Sequence, residues 1–366
     1  MRRIAVFSNM YPSEKHPTFG IFVKNQVELL RSKGIEVDLI AIDEPGKGKV
    51  ATLKKYVAWF LKSIGFLLKN KNHISLTHAH YAFPTGVLSL IGKRLFGIPY
   101  VVTVHGGDID KMAAKSARIA NYTRKVLQGA DTVIVVGERL KQDVITKFGV
   151  KEEHVHVMSM GVNTDIFKPM PKEEARQQLD IPSNEKLLLY VGNMIEAKGV
   201  LDLVDAFETV QKAHPNASLH FIGSSKDENF MERFKTRLQS DNHKITHQEP
   251  LSQQRIAKWI AAADVFVLPS HHEGFGLVAL EAMAVGTTVV GSDVGGLSFL
   301  LGNEAGILVE PRNPDSLAAG LQQALEEPSD TRKTIAEETV AKHTYHVIAE
   351  RLMAIYDAVS KGKSVK

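Results

Sequence analysis

Short runs rich in valine, isoleucine and leucine recur at strand-plus-helix intervals along all 366 residues, and this alternation restricts the fold more than any other feature. In the first half the pattern predicts strands near Ile4–Ser8, Val37–Ile42, Ser75–His80, Tyr100–His105, Thr132–Val136 and His156–Met160. In the second half they fall near Lys186–Gly192, Ser218–Gly223, Ile245–Gln248, Val265–Pro269, Thr287–Ser292 and Gly306–Val309. Several are continuously apolar, as parallel strands covered on both faces must be. Strands alternating with helices build right-handed βαβ units. A single core stops growing near ~250–300 residues. The expected fold is α/β, with two Rossmann-like doubly wound parallel-sheet domains facing a cleft.

Gly161-Val162-Asn163 and the prolines 169, 171 and 182 flank a short polar helix, which marks the junction. We expect an N-terminal domain over 1–165 and a C-terminal domain over 166–345, both Rossmann-like. The segment 346–366 should be a C-terminal helix returning to the N-terminal domain, frayed from Lys361 onward. One long amphipathic helix is predicted over Ala336–Ser360.

Cysteine is absent, which excludes disulfides, cysteine-ligated zinc, iron–sulfur clusters and thiol nucleophiles. No apolar run approaches the ~18 residues that span a bilayer. The first residues, Met1-Arg2-Arg3-Ile4, lack the features of a signal peptide, so a cytoplasmic location is expected. The net charge of +4 divides into +11 for residues 1–170 and −7 for the remainder. The front half should therefore face something anionic.

Ligands of open parallel sheets bind beyond the carboxyl ends of the strands. The richest such segment is Pro269-Ser270-His271-His272-Glu273-Gly274-Phe275-Gly276-Leu277-Val278-Ala279-Leu280-Glu281. A strand ends there, a glycine-rich turn follows, and a helix starts near Gly276 or Leu277. The glycines let backbone N–H groups approach a ligand, and the helix N terminus adds free donors and a positive dipole end, a seat for a diphosphate. Glu281 projects one turn beyond Leu277, where a carboxylate can accept hydrogen bonds from a vicinal diol such as ribose. Glu273 stands before the turn, near whatever hangs from the phosphate. Either glutamate alone reads as a solvated surface residue; the pair bracketing Gly274-Phe275-Gly276 does not. The same stretch also fits the GxGxxA dinucleotide fingerprint with Asp293 as the ribose acid, but it lies late in its domain and far from its strand.

This segment resembles the E-x7-E motif of family 4 retaining glycosyltransferases of the two-Rossmann GT-B fold. The resemblance runs through Gly161–Pro169, Tyr190–Gly199 (the family's G-R-L-x-x-x-K-G), Ala263–Ser270, Gly295-Gly296, Thr103–Asp108 and Pro17–Val23. It implies that Glu273 holds donor-sugar hydroxyls, that Glu281 binds the ribose, and that Lys198 neutralises the diphosphate. A fixed ammonium and a helix terminus would stabilise charge developing on the departing diphosphate. Gly192, Asn193, Gly274, Phe275, Gly276 and Leu277 would line the donor. His105 would reach the donor sugar near the reacting carbon, and Gly20 would approach phosphate or acceptor. Retention without an enzyme nucleophile assigns Glu273 to positioning and electrostatics.

The resemblance further implies no cofactor, the nucleotide sugar being a substrate, and no metal. The histidines of His78-Ala79-His80 and His271-His272 are expected to be packed or solvated, not ligands. Four departures stand out: Asn193 replaces a common arginine, Gly223-Ser224-Ser225-Lys226 replaces a G-x-G-P loop, Phe299 replaces a common glutamate and Thr287 a common proline.

Residues 47–71 contain seven lysines and no acid, interleaved with Val57, Trp59, Phe60, Leu61, Ile64, Phe66, Leu67 and Leu68. A helix there suits an anionic membrane surface, a sheet-packed face, or both. No nucleic-acid-binding motif is present. The expected function is transfer of a sugar from a nucleotide-sugar donor, a UDP-sugar foremost, to a glycan or lipid-linked acceptor in cell-surface polysaccharide biosynthesis. The alternatives are another GT-B activity such as a nucleotide-sugar epimerase, or a weakly catalytic sugar-nucleotide-binding subunit.

Overall fold

The computed structural model describes residues 3–16, 18–44, 48–225, 227–239 and 244–362. Pro17, Lys47, Lys226 and the tail beyond Gly362, all named above, lie outside the described residues. The chain divides into two units, Met1–Met160 with Tyr345–Lys366, and Gly161–Thr344.

The first unit is built on six parallel strands, β1 (Arg3–Ser8), β2 (Glu36–Ala41), β3 (Leu76–His80), β4 (Tyr100–Val104), β5 (Thr132–Val135) and β6 (Val155–Val157). They lie in the order β2-β1-β3-β4-β5-β6. Its helices are α1 (Ile21–Ser32), α2 (Lys49–Asn70), α3 (Thr85–Phe96), α4 (Ala117–Gly129) and α5 (Glu138–Phe148), with the C-terminal helix Tyr345–Ser360. Successive residues of β1 enter different cores, because side chains alternate across a strand. Ile4 and Val6 join Val27, Leu30, Leu76 and Val101, together with Ile348, Leu352 and Tyr356 of the C-terminal helix. Ala5 and Phe7 join Ile40, Trp59, Leu67 and Leu88. Helix α2 is anchored in that second core, where the Trp59 indole donates to the Ile40 carbonyl at 3.2 Å.

The second unit repeats the plan with β7 (Lys186–Val191), β8 (Ala217–Ile222), β9 (Ile245–Gln248), β10 (Val265–Leu268), β11 (Thr288–Ser292) and β12 (Ile307–Val309). The parallel order is β12-β11-β10-β7-β8-β9, so the direction of winding reverses between β7 and β10. Its helices are α6 (Lys172–Gln178), α7 (Val200–Ala213), α8 (Glu228–Gln239), α9 (Gln253–Ala262), α10 (Leu277–Val285), α11 (Gly296–Leu300), α12 (Pro314–Glu326) and α13 (Asp330–Ala341). The C-terminal helix of the first unit is then α14 (Tyr345–Ser360). Asp264, just before β10, accepts from Lys172 Nζ at 2.9 Å, Arg176 Nη2 at 2.7 Å and the Leu187 amide at 2.7 Å. The buried Arg176 guanidinium also reaches the Ala262 and Ser183 carbonyls, so a charge placed in the interior is fully paired.

The structure departs from the sequence reading at the unit junctions, in one long helix and in one strand. The chain leaves the first unit after Met160, not after 165, and returns after Thr344. The helix expected over 336–360 is two helices, because residues 342–344 turn aside for a strand-like contact. There Val162 N donates to the His343 carbonyl at 2.9 Å and Val162 bridges Thr344 in parallel, giving those backbone groups partners outside a helix. Strand β6 is shorter and earlier than His156–Met160.

Candidate active site

In the second unit the chemistry collects where the winding reverses, at the carboxyl ends of β7 and β10, the place where open α/β sheets leave a crevice for ligands. Lys198 follows β7 and Glu273 follows β10. Lys198 Nζ donates to Glu273 Oε2 at 2.6 Å, and both side chains are mostly but not wholly covered. The same carboxylate accepts from Ser270 Oγ at 3.3 Å and, through Oε1, from the Gly274 amide at 3.1 Å. Its oxygens are thus aimed by three donors from two loops.

Backbone packing fixes those loops. A Cβ on Gly199 (φ +65°) would stand 1.9 Å from the Pro269 carbonyl oxygen, so only glycine lets the two loops touch. Gly295 has φ +51°, and its Cβ would lie 2.1 Å from the Glu273 carbonyl oxygen. The His271 amide reaches the Ala197 carbonyl at 3.0 Å, and its ring contacts Asp202 Oδ2 at 2.7 Å. His271 is therefore a tie between loops. Gly276 (φ +92°) caps the N terminus of α10 and Leu277 opens the helix.

Glu281 lies on α10, one turn beyond Leu277. Burial pushes its carboxyl up to about 8, opposed by a hydrogen bond with Gln253 at the start of α9. At neutral pH the group is largely protonated, so it offers one donor and one acceptor, a fit to a vicinal diol. Two further residues sit differently from a simple ligand lining. The Phe275 ring is buried edge-on against His343 at 5.3 Å, leaving its main chain as the part available to a ligand. Asn193 is exposed, and its carbonyl accepts from Tyr190 Oη at 2.8 Å; the preceding Gly192 amide is held by the Ile222 carbonyl at 3.0 Å.

In the first unit the winding reverses between β1 and β3, and the loops there gather aromatic rings. His105, just past β4, lies with Phe22 and Tyr81 each at 4.7 Å between ring centroids. Its Nε2 is 3.2 Å from His80 Nδ1. His80 stacks in turn on His78 at 4.7 Å, and His78 is pinned by Tyr356 Oη at 2.6 Å and Thr103 Oγ1 at 2.8 Å. Burial holds all three imidazoles neutral: His78 and His105 titrate well below the usual histidine range, and His80 is lowered to about 3. Asp108 accepts from the Ala82 and His105 amides, and burial raises its carboxyl to about 6. Gly20 (φ +74°) caps α1, and a Cβ there would meet the Met10 carbonyl oxygen at 2.6 Å.

Family models match both units. The model described as "Glycosyltransferase Family 4" covers residues 20–166, and that described as "Glycosyl transferases group 1" covers residues 171–341. A D-inositol 3-phosphate glycosyltransferase of Thermobispora bispora is 30 % identical over 303 residues, 76 % of this chain and 69 % of that one. The chain belongs to the family 4, group 1 glycosyltransferases.

Among other relatives of this glycosyltransferase, one of Bacillus subtilis named for teichuronic acid biosynthesis, TuaC, is 28 % identical over 87 % of this chain and 88 % of its own. The alpha-maltose-1-phosphate synthase of Mycolicibacterium smegmatis is 26 % identical over 98 % of this chain and 100 % of its own. The fold is that of the sucrose-phosphate synthase from Thermosynechococcus elongatus, with a TM-score of 0.81 at 24 % identity over 99 % of this chain and 100 % of the other. It is also that of Anabaena HepE, solved with UDP and glucose, with a TM-score of 0.75 at 18 % identity over 97 % and 99 %. Family membership replaces the dinucleotide reading of Gly274–Ala279.

Sequence reasoning did not single out Gln253 or Ser270 as partners of the glutamates, and it weighed His80 only as half of a metal pair. Ser270 stood inside the quoted segment, so its spacing from Glu273 was available. Gln253 comes from a different helix, and no local pattern marks it. Among the described residues no cluster of three or more His, Asp or Glu is placed to hold a metal ion.

Proposed function

We propose that this glycosyltransferase moves a sugar from a UDP-sugar to a glycan or lipid-linked acceptor during cell-surface polysaccharide synthesis, with retention of anomeric configuration. The observation that carries the reading is the 2.6 Å Lys198–Glu273 pair beside the glycine-bounded N terminus of α10. A diphosphate arriving there meets an ammonium and free helix amides, which oppose the negative charge that grows as the leaving group departs. That positive charge comes from the chain itself, and we read the reaction as metal-independent with no cofactor. Glu273, held by three donors, is suited to orient sugar hydroxyls more than to attack carbon. The protonated Glu281 carboxyl takes the ribose diol, and His105 is the first-unit residue we assign to the donor sugar. UDP as carrier draws on HepE, solved with UDP and with UDP-glucose. The polysaccharide acceptor draws on the relative named for teichuronic acid biosynthesis.

We place the protein at the cytoplasmic face of an anionic membrane. Helix α2 supports this. Trp59, Ser63 and Leu67 are buried, yet Val50, Leu53, Val57, Leu61 and Leu68 form a second, exposed stripe at helical spacing, rimmed by Lys54, Lys62 and Lys69. No helix among the described residues is long and apolar enough to cross a membrane.

The test is thermal unfolding with UDP, GDP, ADP and their sugars, since a ligand at 100 times its Kd stabilises by ~2.7 kcal/mol. UDP-sugars should raise Tm most, and Glu281→Ala should weaken that binding about 10- to 100-fold, the worth of a strong hydrogen-bond pair. Wild-type affinity in that variant refutes the donor site. UDP release with no sugar reaching any acceptor favours epimerase chemistry.

A further inference from the structure

We propose that His80 is a positioning residue that fixes the tautomer of His105, so that His105 meets the donor sugar as a hydrogen-bond donor through Nδ1. The inference rests on the assignment of His105 to the donor sugar. An imidazole has two ring nitrogens, and Nε2 of His105 is already engaged by His80 Nδ1 at 3.2 Å. The ring planes lie 20° apart with centroids 5.4 Å apart, too far for face contact and suited to edge meeting edge. His105 retains exposed surface, whereas His78 and His80 have none. The atom left for a ligand is Nδ1.

The direction of the shared hydrogen bond follows from the other side of His80. Its Nε2 is buried and, among the described residues, has no hydrogen-bond partner. A neutral His80 protonated at Nε2 would bury an N–H with nothing to receive it, and orphaned buried N–H groups are the rarer and costlier defect. The proton therefore sits on Nδ1 of His80 and is donated to His105 Nε2. That nitrogen must be the bare lone pair, and the proton of neutral His105 resides on Nδ1. The ring beneath cannot reverse this, since both nitrogens of His78 are taken by Tyr356 and Thr103. His105 is also clamped sideways by Phe22 and Tyr81. Tyr81 holds a left-handed backbone (φ 76°), a strained conformation for a bulky residue and one that collects at functional sites.

The experiment is long-range ¹H–¹⁵N spectroscopy of histidine-labelled full-length protein, paired with steady-state kinetics. His105 should appear as the Nδ1–H tautomer. His80→Leu removes the donor and should shift His105 toward Nε2–H while lowering kcat 10-fold or more, with the donor KM changed less. His80→Asn keeps an N–H donor close to the place of Nδ1 and should restore most of kcat. A wild-type Nε2–H tautomer, or equal activity in the leucine and asparagine variants, overturns the proposal. The wild-type spectrum decides even where a variant folds poorly. His105→Ala separates the two levels: full activity there removes the assignment of His105 itself. An inactive His105→Ala beside a wild-type Nε2–H tautomer removes only the role of His80.

Discussion

The two units share one plan, six parallel strands with the winding reversed near the middle, yet they arm the reversal point in opposite ways. The first places neutral imidazoles and aromatic rings there; His78, His80 and His105 are all held uncharged by desolvation. The second places an ammonium–carboxylate pair over loops that only glycine allows to touch. A sheet of this type decides where a ligand can sit, and the loop residues decide whether the site offers charge or shaped hydrogen bonding. Their outer faces differ as well. The first unit exposes the apolar stripe of α2, whereas Phe299 is the large apolar side chain that the second unit exposes among the described residues.

The contrast is broken most directly by removing charge. Lys198→Met should lower kcat about 10²–10³-fold, the range for loss of a preorganised transition-state contact, with donor KM changed far less. His105→Ala should cost about 10- to 100-fold, as one hydrogen bond does. Steady-state kinetics that give equal losses erase the distinction between a charged and a neutral reversal point. The outer surfaces come next. Leu53→Asp with Leu61→Asp should reduce flotation with anionic vesicles about 10-fold or more, because each buried leucine is worth ~1.5–3 kcal/mol. Turnover of a soluble acceptor should be unchanged, and high salt should release the wild-type protein. Unaltered flotation of the double variant sinks the membrane role of α2.

The units should also differ in stability against pH, with opposite sign. Glu281 is raised from 4.5 to about 8, so its contribution is full below pH 4.5 and is lost as pH rises toward 8. Between pH 6.5 and 8 the second unit should therefore weaken while the first, its histidines already neutral, holds steady. Below pH 6.5 the depressed histidines of the first unit must take up protons, and stability present above that pH is lost as it falls. Asp108, raised to about 6, opposes this in the first unit, and His220, lowered to about 4, adds one such loss to the second. Hydrogen exchange resolved by unit measures both trends, and Glu281→Gln should flatten the alkaline one. A parallel decline of both units above pH 6.5 contradicts the assignment.

Much of this was legible in the chain. The doubly wound strands, the helix starting at Leu277 and the glutamates bracketing Gly274–Gly276 follow from local periodicity and turn chemistry. So does the amphipathic nature of α2, although sequence alone left open whether its apolar residues face the sheet or the outside. In the structure they do both: Trp59 and Leu67 go inward, Leu53 and Leu61 outward. Other features were invisible because they join segments far apart in the chain. Gln253 reaches Glu281 from another helix, and Tyr356 reaches His78 across 278 positions. The helix break at 342–344 depends on Val162, which no window around residue 343 contains.

The family, the two-sheet plan and the identity of the charged side chains are written in the linear chain, because period, punctuation and residue type are local properties. Folding is what makes Lys198 and Glu273 meet, pushes the Glu281 carboxyl up by burial, and leaves His105 with one ring nitrogen already taken. Those are matters of desolvation and of distance between segments remote along the chain, and neither quantity exists until the strands are brought side by side.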